Sequence, residues 1–119
     1  MKIEMHFVFL SWLVFATNVF AQVAHNPLTP TDITKAKNLA SKYACLSCHA
    51  AERKLVGPAY RDIAAKYKAE RDAAQKLAAK IRSGGGGVWG NLPMPANPNI
   101  SPADLKIIVT WVLSGAPNK

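Results

Sequence analysis

The chain has 119 residues, a formal net charge of +8 and two cysteines; half of it is apolar and 18% is charged. That is room for one domain of globular composition, with too few cysteines for a multi-disulfide scaffold or an all-cysteine metal site. Its length and the absence of a repeated unit exclude a solenoid.

The first segment is a leader by pattern. Phe7 to Ala16 reads FVFLSWLVFA, with only Ser11 polar. Val19-Phe20-Ala21 sets small or branched residues around a bulkier one, which fits signal-peptidase cleavage after Ala21. The apolar run is shorter than the roughly 20 residues a spanning helix needs. His6, Ser11, Thr17 and Asn18 interrupt it, and Glu4 offsets Lys2 at its charged start. Residues 1–21 are therefore expected to be a cleaved signal peptide, and residues 22–119 one mature domain in an oxidising compartment outside the cytoplasm. Retention of the leader would make it a membrane anchor. Residues 22–119 carry the whole +8, with 14 basic and 6 acidic side chains.

The mature chain reads as four helices. Gln22 to Leu28 is a loose polar arm. Thr29 can cap a helix, Pro30 suits its first position and Asp32 stands three residues after the cap. Ile33, Ala36, Leu39, Ala40, Tyr43 and Ala44 follow at helical spacing and predict a helix from about 30 to 46. Gly57-Pro58 marks a turn. Tyr60, Ile63, Ala64 and Tyr67 predict a second helix. Ala74, Leu77, Ala78 and Ile81 predict a third, stopped at Gly84. Residues 84–100 hold five Gly and three Pro and read as irregular loop. Ser101-Pro102-Ala103-Asp104 repeats the cap signature. Leu105, Ile108, Val109, Val112 and Leu113 form one stripe of a last helix ending at Gly115 and Pro117. No stretch alternates as a strand, so the fold class is all-α. Many apolar helix positions are merely Ala, and residues 22–119 contain no Phe. A domain with so thin a core gains from a bound hydrophobic group.

Cys45-Leu46-Ser47-Cys48-His49 is C-x-x-C-H, the attachment signature of c-type haem. Two cysteines three apart on a helical turn face one way and can reach the two vinyl groups on one porphyrin edge. His49 then lies beneath the iron. A structural disulfide needs no histidine, and a thioredoxin-like pair belongs to a strand-and-helix fold. Zinc needs four ligands, and the mature chain offers only Cys45, Cys48, His49 and His25 of the loose arm. One covalent haem c is the remaining reading.

Histidine-bound haem iron takes Met or His as its second ligand, or stays open. Met94 is the only Met after residue 21, inside Asn91-Leu92-Pro93-Met94-Pro95. Its flanking prolines restrict the backbone toward extended geometry, so the loop can hold a thioether against iron. His25 is the fallback ligand. Gly84 to Gly87 has no following Lys-Ser/Thr and no preceding strand, so it is no phosphate loop; the run reads as a helix stop with close backbone approach to the haem edge.

These segments, with Val56-Gly57-Pro58-Ala59-Tyr60, Ile81 to Gly84, Val88-Trp89-Gly90 and Trp111-Val112-Leu113, resemble the short bacterial class I cytochromes c. The resemblance spans about residues 35–114. It implies a small cytochrome c fold of about four helices around one haem, with the first and last helices crossing. It implies that Pro58 accepts the ring N–H of His49, that Lys80 and Trp89 donate to a haem propionate, and that Asn97 lies near the Met94 sulfur. It also implies a periplasmic one-electron carrier, not an enzyme, serving partners such as a nitrite reductase or terminal oxidase. With His49 and Met94 both on iron there is no open site for a small-molecule substrate. The basic residues are scattered without an aromatic platform, which argues against nucleic acid and for partners with acidic docking patches. Lys42, Arg53 and Lys54 flank the motif as docking candidates. The alternatives are a haem sensor or peroxidase-like protein with an open sixth position, or an anchored subunit of a respiratory complex.

Overall fold

Helix α1 (Pro30–Lys42) starts from a reciprocal cap in the computed structural model, which describes residues 27–119. The Thr29 hydroxyl accepts from Asp32 N–H at 3.2 Å, and the Asp32 carboxylate accepts from Thr29 N–H at 3.0 Å. Two donors that the helix cannot pair internally are thereby satisfied. The leader and His25 lie outside the described residues.

Helix α1 ends four residues short of the periodicity-based boundary. Tyr43 caps it, and Ala44 takes a left-handed conformation at φ 57°. That turn breaks the α-helical path, and Cys45–Ser47 forms a short 3-10 turn. Apolar spacing cannot reveal such a break, because Tyr43 and Ala44 continue the stripe.

Three further helices follow: α2 (Tyr60–Tyr67), α3 (Ala73–Ser83) and α4 (Pro102–Leu113). Gly84 caps α3, its N–H donating to Lys80 O at 2.7 Å. The Ser101 hydroxyl accepts from Asp104 N–H at 3.1 Å and opens α4. Among the described residues there are no strands, only two isolated antiparallel bridges, His49 with Lys54 and Gly85 with Met94.

Helix α4 is the hub, and α1, α2 and α3 each pack on it. Its Leu105, Ile108, Val109, Trp111 and Val112 are all buried. Burying an aliphatic side chain of this size contributes about 1.5–3 kcal/mol, so this one helix supplies much of the core. Opposite it, α1 buries Ile33, Ala36 and Ala40. The two alanines let the helix backbones approach closely. Trp111 is 2% exposed, and its indole N–H donates to Pro117 O at 3.0 Å. The residues after α4 therefore fold back over the tryptophan.

Candidate functional site

The attachment turn gathers three of the expected site residues. Cys45 O accepts from both Cys48 N–H (3.2 Å) and His49 N–H (3.0 Å), a shared acceptor that winds Cys45 to His49 into one tight turn. Cys45 and Cys48 are half-buried and unbridged. Burial pushes the Cys45 thiol above the ordinary cysteine range. Its sulfur approaches Tyr43 O at 3.8 Å.

His49 is buried, and its orientation is set by the following loop. Nδ1 lies 2.8 Å from Pro58 O. A carbonyl only accepts, so Nδ1 carries a proton, and the neutral ring in this tautomer presents the Nε2 lone pair that a metal ligand requires. Gly57 makes room for this ring. A Cβ at Gly57 would collide with His49 ring atoms, and Gly57 N–H donates to Cys48 O at 2.8 Å. The imidazole also stacks on Tyr60, with centroids 5.3 Å apart and planes 19° apart. Tyr60 meets Trp111 edge-on at 5.2 Å. The Tyr60 hydroxyl is buried with no hydrogen-bond partner, and burial pushes its ionisation well above the usual tyrosine range. From sequence, Tyr60 is a helix-face residue, Gly57 a turn marker and both part of the Val56–Tyr60 segment that carries the family resemblance, with no contact to His49 assigned to either. The signal was their position, immediately around Pro58 at the entry to α2.

Met94 is placed by a backbone bridge to the glycine run. Gly85 N–H donates to Met94 O at 2.9 Å, and Met94 N–H donates to Gly85 O at 3.1 Å. Gly84 stands at φ 65°, and a Cβ there would strike the Met94 carbonyl and crowd Pro95 and Ala96. Gly84 therefore serves close approach to the Met94 segment, while Gly85 and Gly86 line the cavity described next.

One cavity of about 280 Å³ brings these parts together. Cys45, Cys48, His49 and Pro58 line it from the attachment loop, Met94 from the late loop, and Ile108, Val109 and Val112 from α4. Lys80 and Trp89 line it as well, while Asn97 does not. The backbone N–H of Asn97 instead donates to Ile81 O at 2.9 Å and ties the end of the loop to α3. No Asp or Glu lines the cavity; Lys54 and Lys80 are its charged residues. Trp89 is 41% exposed, and the Lys66 ammonium lies 5.7 Å from its ring centroid. An apolar wall, two thiols side by side, an imidazole with a free Nε2 and one thioether make a donor set suited to a covalently bound iron porphyrin. Among the described residues no group of three or more His, Cys, Asp or Glu forms another metal site, and no helix is long and apolar enough to cross a membrane.

Lys42, a docking candidate from sequence, is engaged elsewhere. Its ammonium lies 3.4 Å from Asp104 Oδ2, the same oxygen that accepts the Tyr43 hydroxyl at 2.8 Å. This cluster joins the end of α1 to the start of α4.

Residues 33–116 match the family model for cytochrome c. The chain is 53% identical over 77 residues to cytochrome c-552 of Nitrosomonas europaea, covering 65% of this chain and 75% of that protein. It is 49% identical over 75 residues to cytochrome c-551 of Allochromatium vinosum, covering 63% and 80% respectively. The crystal structure of wild-type Nitrosomonas europaea cytochrome c552 is similar with a TM-score of 0.64 at 52% identity, covering 66% of this chain and 98% of that one.

Proposed function

The chain belongs to the cytochrome c family, and on that premise we propose that it is a periplasmic one-electron carrier with thioether bonds at Cys45 and Cys48 and iron ligands at His49 and Met94. As a member it carries one covalently bound haem c with its iron, and it is an electron carrier rather than an enzyme. The observation that carries the residue assignment is the single apolar cavity lined by Cys45, Cys48, His49 and Met94 together.

The bound group supplies the one-electron couple of its iron, and the protein's own residues do the rest. Pro58 fixes the His49 tautomer and Gly57 allows the ring its position. Gly85 holds Met94 in place through two backbone bonds. Ile108, Val109 and Val112 exclude water from the cavity wall. Low polarity around the iron and a thioether ligand both favour the reduced state and raise the potential. His49, held by Pro58, and Met94, held by Gly85, would keep their places with little rearrangement when such a group changes charge. Lys80 and Trp89 line the cavity, which supports their role as donors to a propionate.

The partners proposed are redox proteins with acidic docking patches. Support comes from the net charge of +8 and from Lys54, an exposed cation at the cavity. The apolar leader, with its small residues around Phe20, supports export and cleavage near Ala21.

The test is mass and spectrum. The exported protein should weigh residues 22–119 plus one haem that survives denaturation. Its oxidised form should show the weak far-red band of thioether-bound ferric haem. A mass with two free thiols, or a spectrum without that band, overturns the assignment.

A further inference from the structure

Lys66 stands in the last turn of α2, and its charge is turned toward an aromatic ring. Two carboxylates stand four residues to either side, Asp62 and Glu70. Neither pairs with it. Asp62 lies 3.6 Å from Arg61 Nε, and Glu70 is held by Lys76, which also reaches Asp72 at 3.3 Å. With its nearest carboxylates engaged, the Lys66 ammonium lies 5.7 Å from the Trp89 centroid, inside the range of a cation–π contact.

Trp89 needs such a partner. It sits at the tip of the loop between α3 and Met94, where Gly87 N–H closes a turn onto Gly90 O at 2.8 Å. Gly87 and Gly90 both have positive φ, and a Cβ at either would meet nothing within 4 Å, so no other part of the protein packs on those two positions of the turn. Apart from the Gly87–Gly90 turn itself, the backbone bonds of this loop lie at Gly84, Gly85, Met94 and Asn97, away from the tip. Lys66 reaches the tip from α2 and connects two segments that the backbone leaves separate.

We propose that Lys66 is a positioning residue for Trp89: its ammonium covers the indole face, holds the ring at the cavity mouth and strengthens the ring N–H as a donor to a carboxylate of the bound haem. A cation over the π face draws electron density from the ring, so the N–H becomes a better donor. This rests on the reading above that Trp89 serves a haem propionate.

The experiment uses the complete haem-loaded protein in five forms: wild type, Lys66→Gln, Lys66→Arg, Trp89→Phe, and Lys66→Gln combined with Trp89→Phe. Proton NMR of the reduced protein reads the contact directly, since the Lys66 ε-methylene protons should be shifted upfield by the ring. Exchange of the Trp89 indole proton should be about 2- to 5-fold faster in Lys66→Gln, the size an exposed cation–π contact supports, and near wild type in Lys66→Arg. The midpoint potential should fall in Lys66→Gln by more than the same change produces in the Trp89→Phe background, because a bare charge effect is the same in both. Equal shifts in the two backgrounds overturn the positioning role, as does an indole exchange rate that ignores Lys66. A protein that takes up no haem refutes the cytochrome reading instead, and the two failures are distinct.

Discussion

Gly85 and Met94 exchange both of their backbone hydrogen bonds, at 2.9 and 3.1 Å, so the position of the thioether is set by a glycine nine residues before it. The neighbouring Gly84, at φ 65° and with no room for a Cβ, is what lets the two segments touch.

Gly84→Ala is expected to disturb Met94 selectively. A non-glycine residue in that conformation costs on the order of 1–3 kcal/mol, before its clash with the Met94 carbonyl. The variant should keep its covalent haem, lose far-red absorbance when oxidised, and bind carbon monoxide more readily when reduced. Gly86→Ala is the control, since a Cβ there meets only ordinary contacts at 3.5 Å or more. Spectra of the two variants side by side decide the matter.

Met94→Ala should fold and retain haem, with the sixth position open to water and external ligands. The midpoint potential should drop, as loss of a thioether ligand demands. An unchanged potential and spectrum would remove Met94 from the ligand set.

Acid should weaken both helix starts. The Thr29 hydroxyl and N–H hold Asp32 below the ordinary carboxylate range, and the Tyr43 hydroxyl and then Lys42 do the same for Asp104. A carboxyl with a depressed native pKa contributes stability that is present above its unfolded pKa, about 3.9, and lost as pH falls through the native value. Asp104→Asn and Asp32→Asn should therefore lower Tm at pH 7, and the gap to wild type should close below about pH 4. Thermal melts across pH read this directly. A gap that persists undiminished in acid would show that the carboxylate charge is not what matters.

Electron exchange with an acidic partner should slow as salt rises. Charge of this sign accelerates encounter by roughly 10- to 1000-fold at low ionic strength, and its reach shrinks to about 8 Å at physiological salt. Lys54→Glu, at the cavity, should reduce the second-order rate more than Lys119→Glu at the chain end. Lys42→Glu should act mainly through stability, because Lys42 already faces Asp104. A rate that does not change with ionic strength argues against steering.

What the sequence made legible was local chemistry. Thr29 with Asp32, and Ser101 before Pro102, announced helix starts because a cap needs only neighbours along the chain. C-x-x-C-H announced haem because its spacing is the attachment geometry. What stayed hidden depended on partners far away. The left-handed Ala44 leaves no mark on apolar spacing. Asp104 looked like half of a reciprocal cap, yet its carboxylate goes to Tyr43, 61 residues earlier. The stacking of Tyr60 on His49 required the loop to close first.

The role of α4 as hub bears on when this chain can fold. The other three helices find their main packing partner in residues 102–113, the last helix to be synthesised. A chain without this segment lacks the surface on which α1, α2 and α3 each pack. Damage within residues 102–113 is therefore expected to cost the packing of all three other helices at once, where damage to any one of those three costs a single interface with α4.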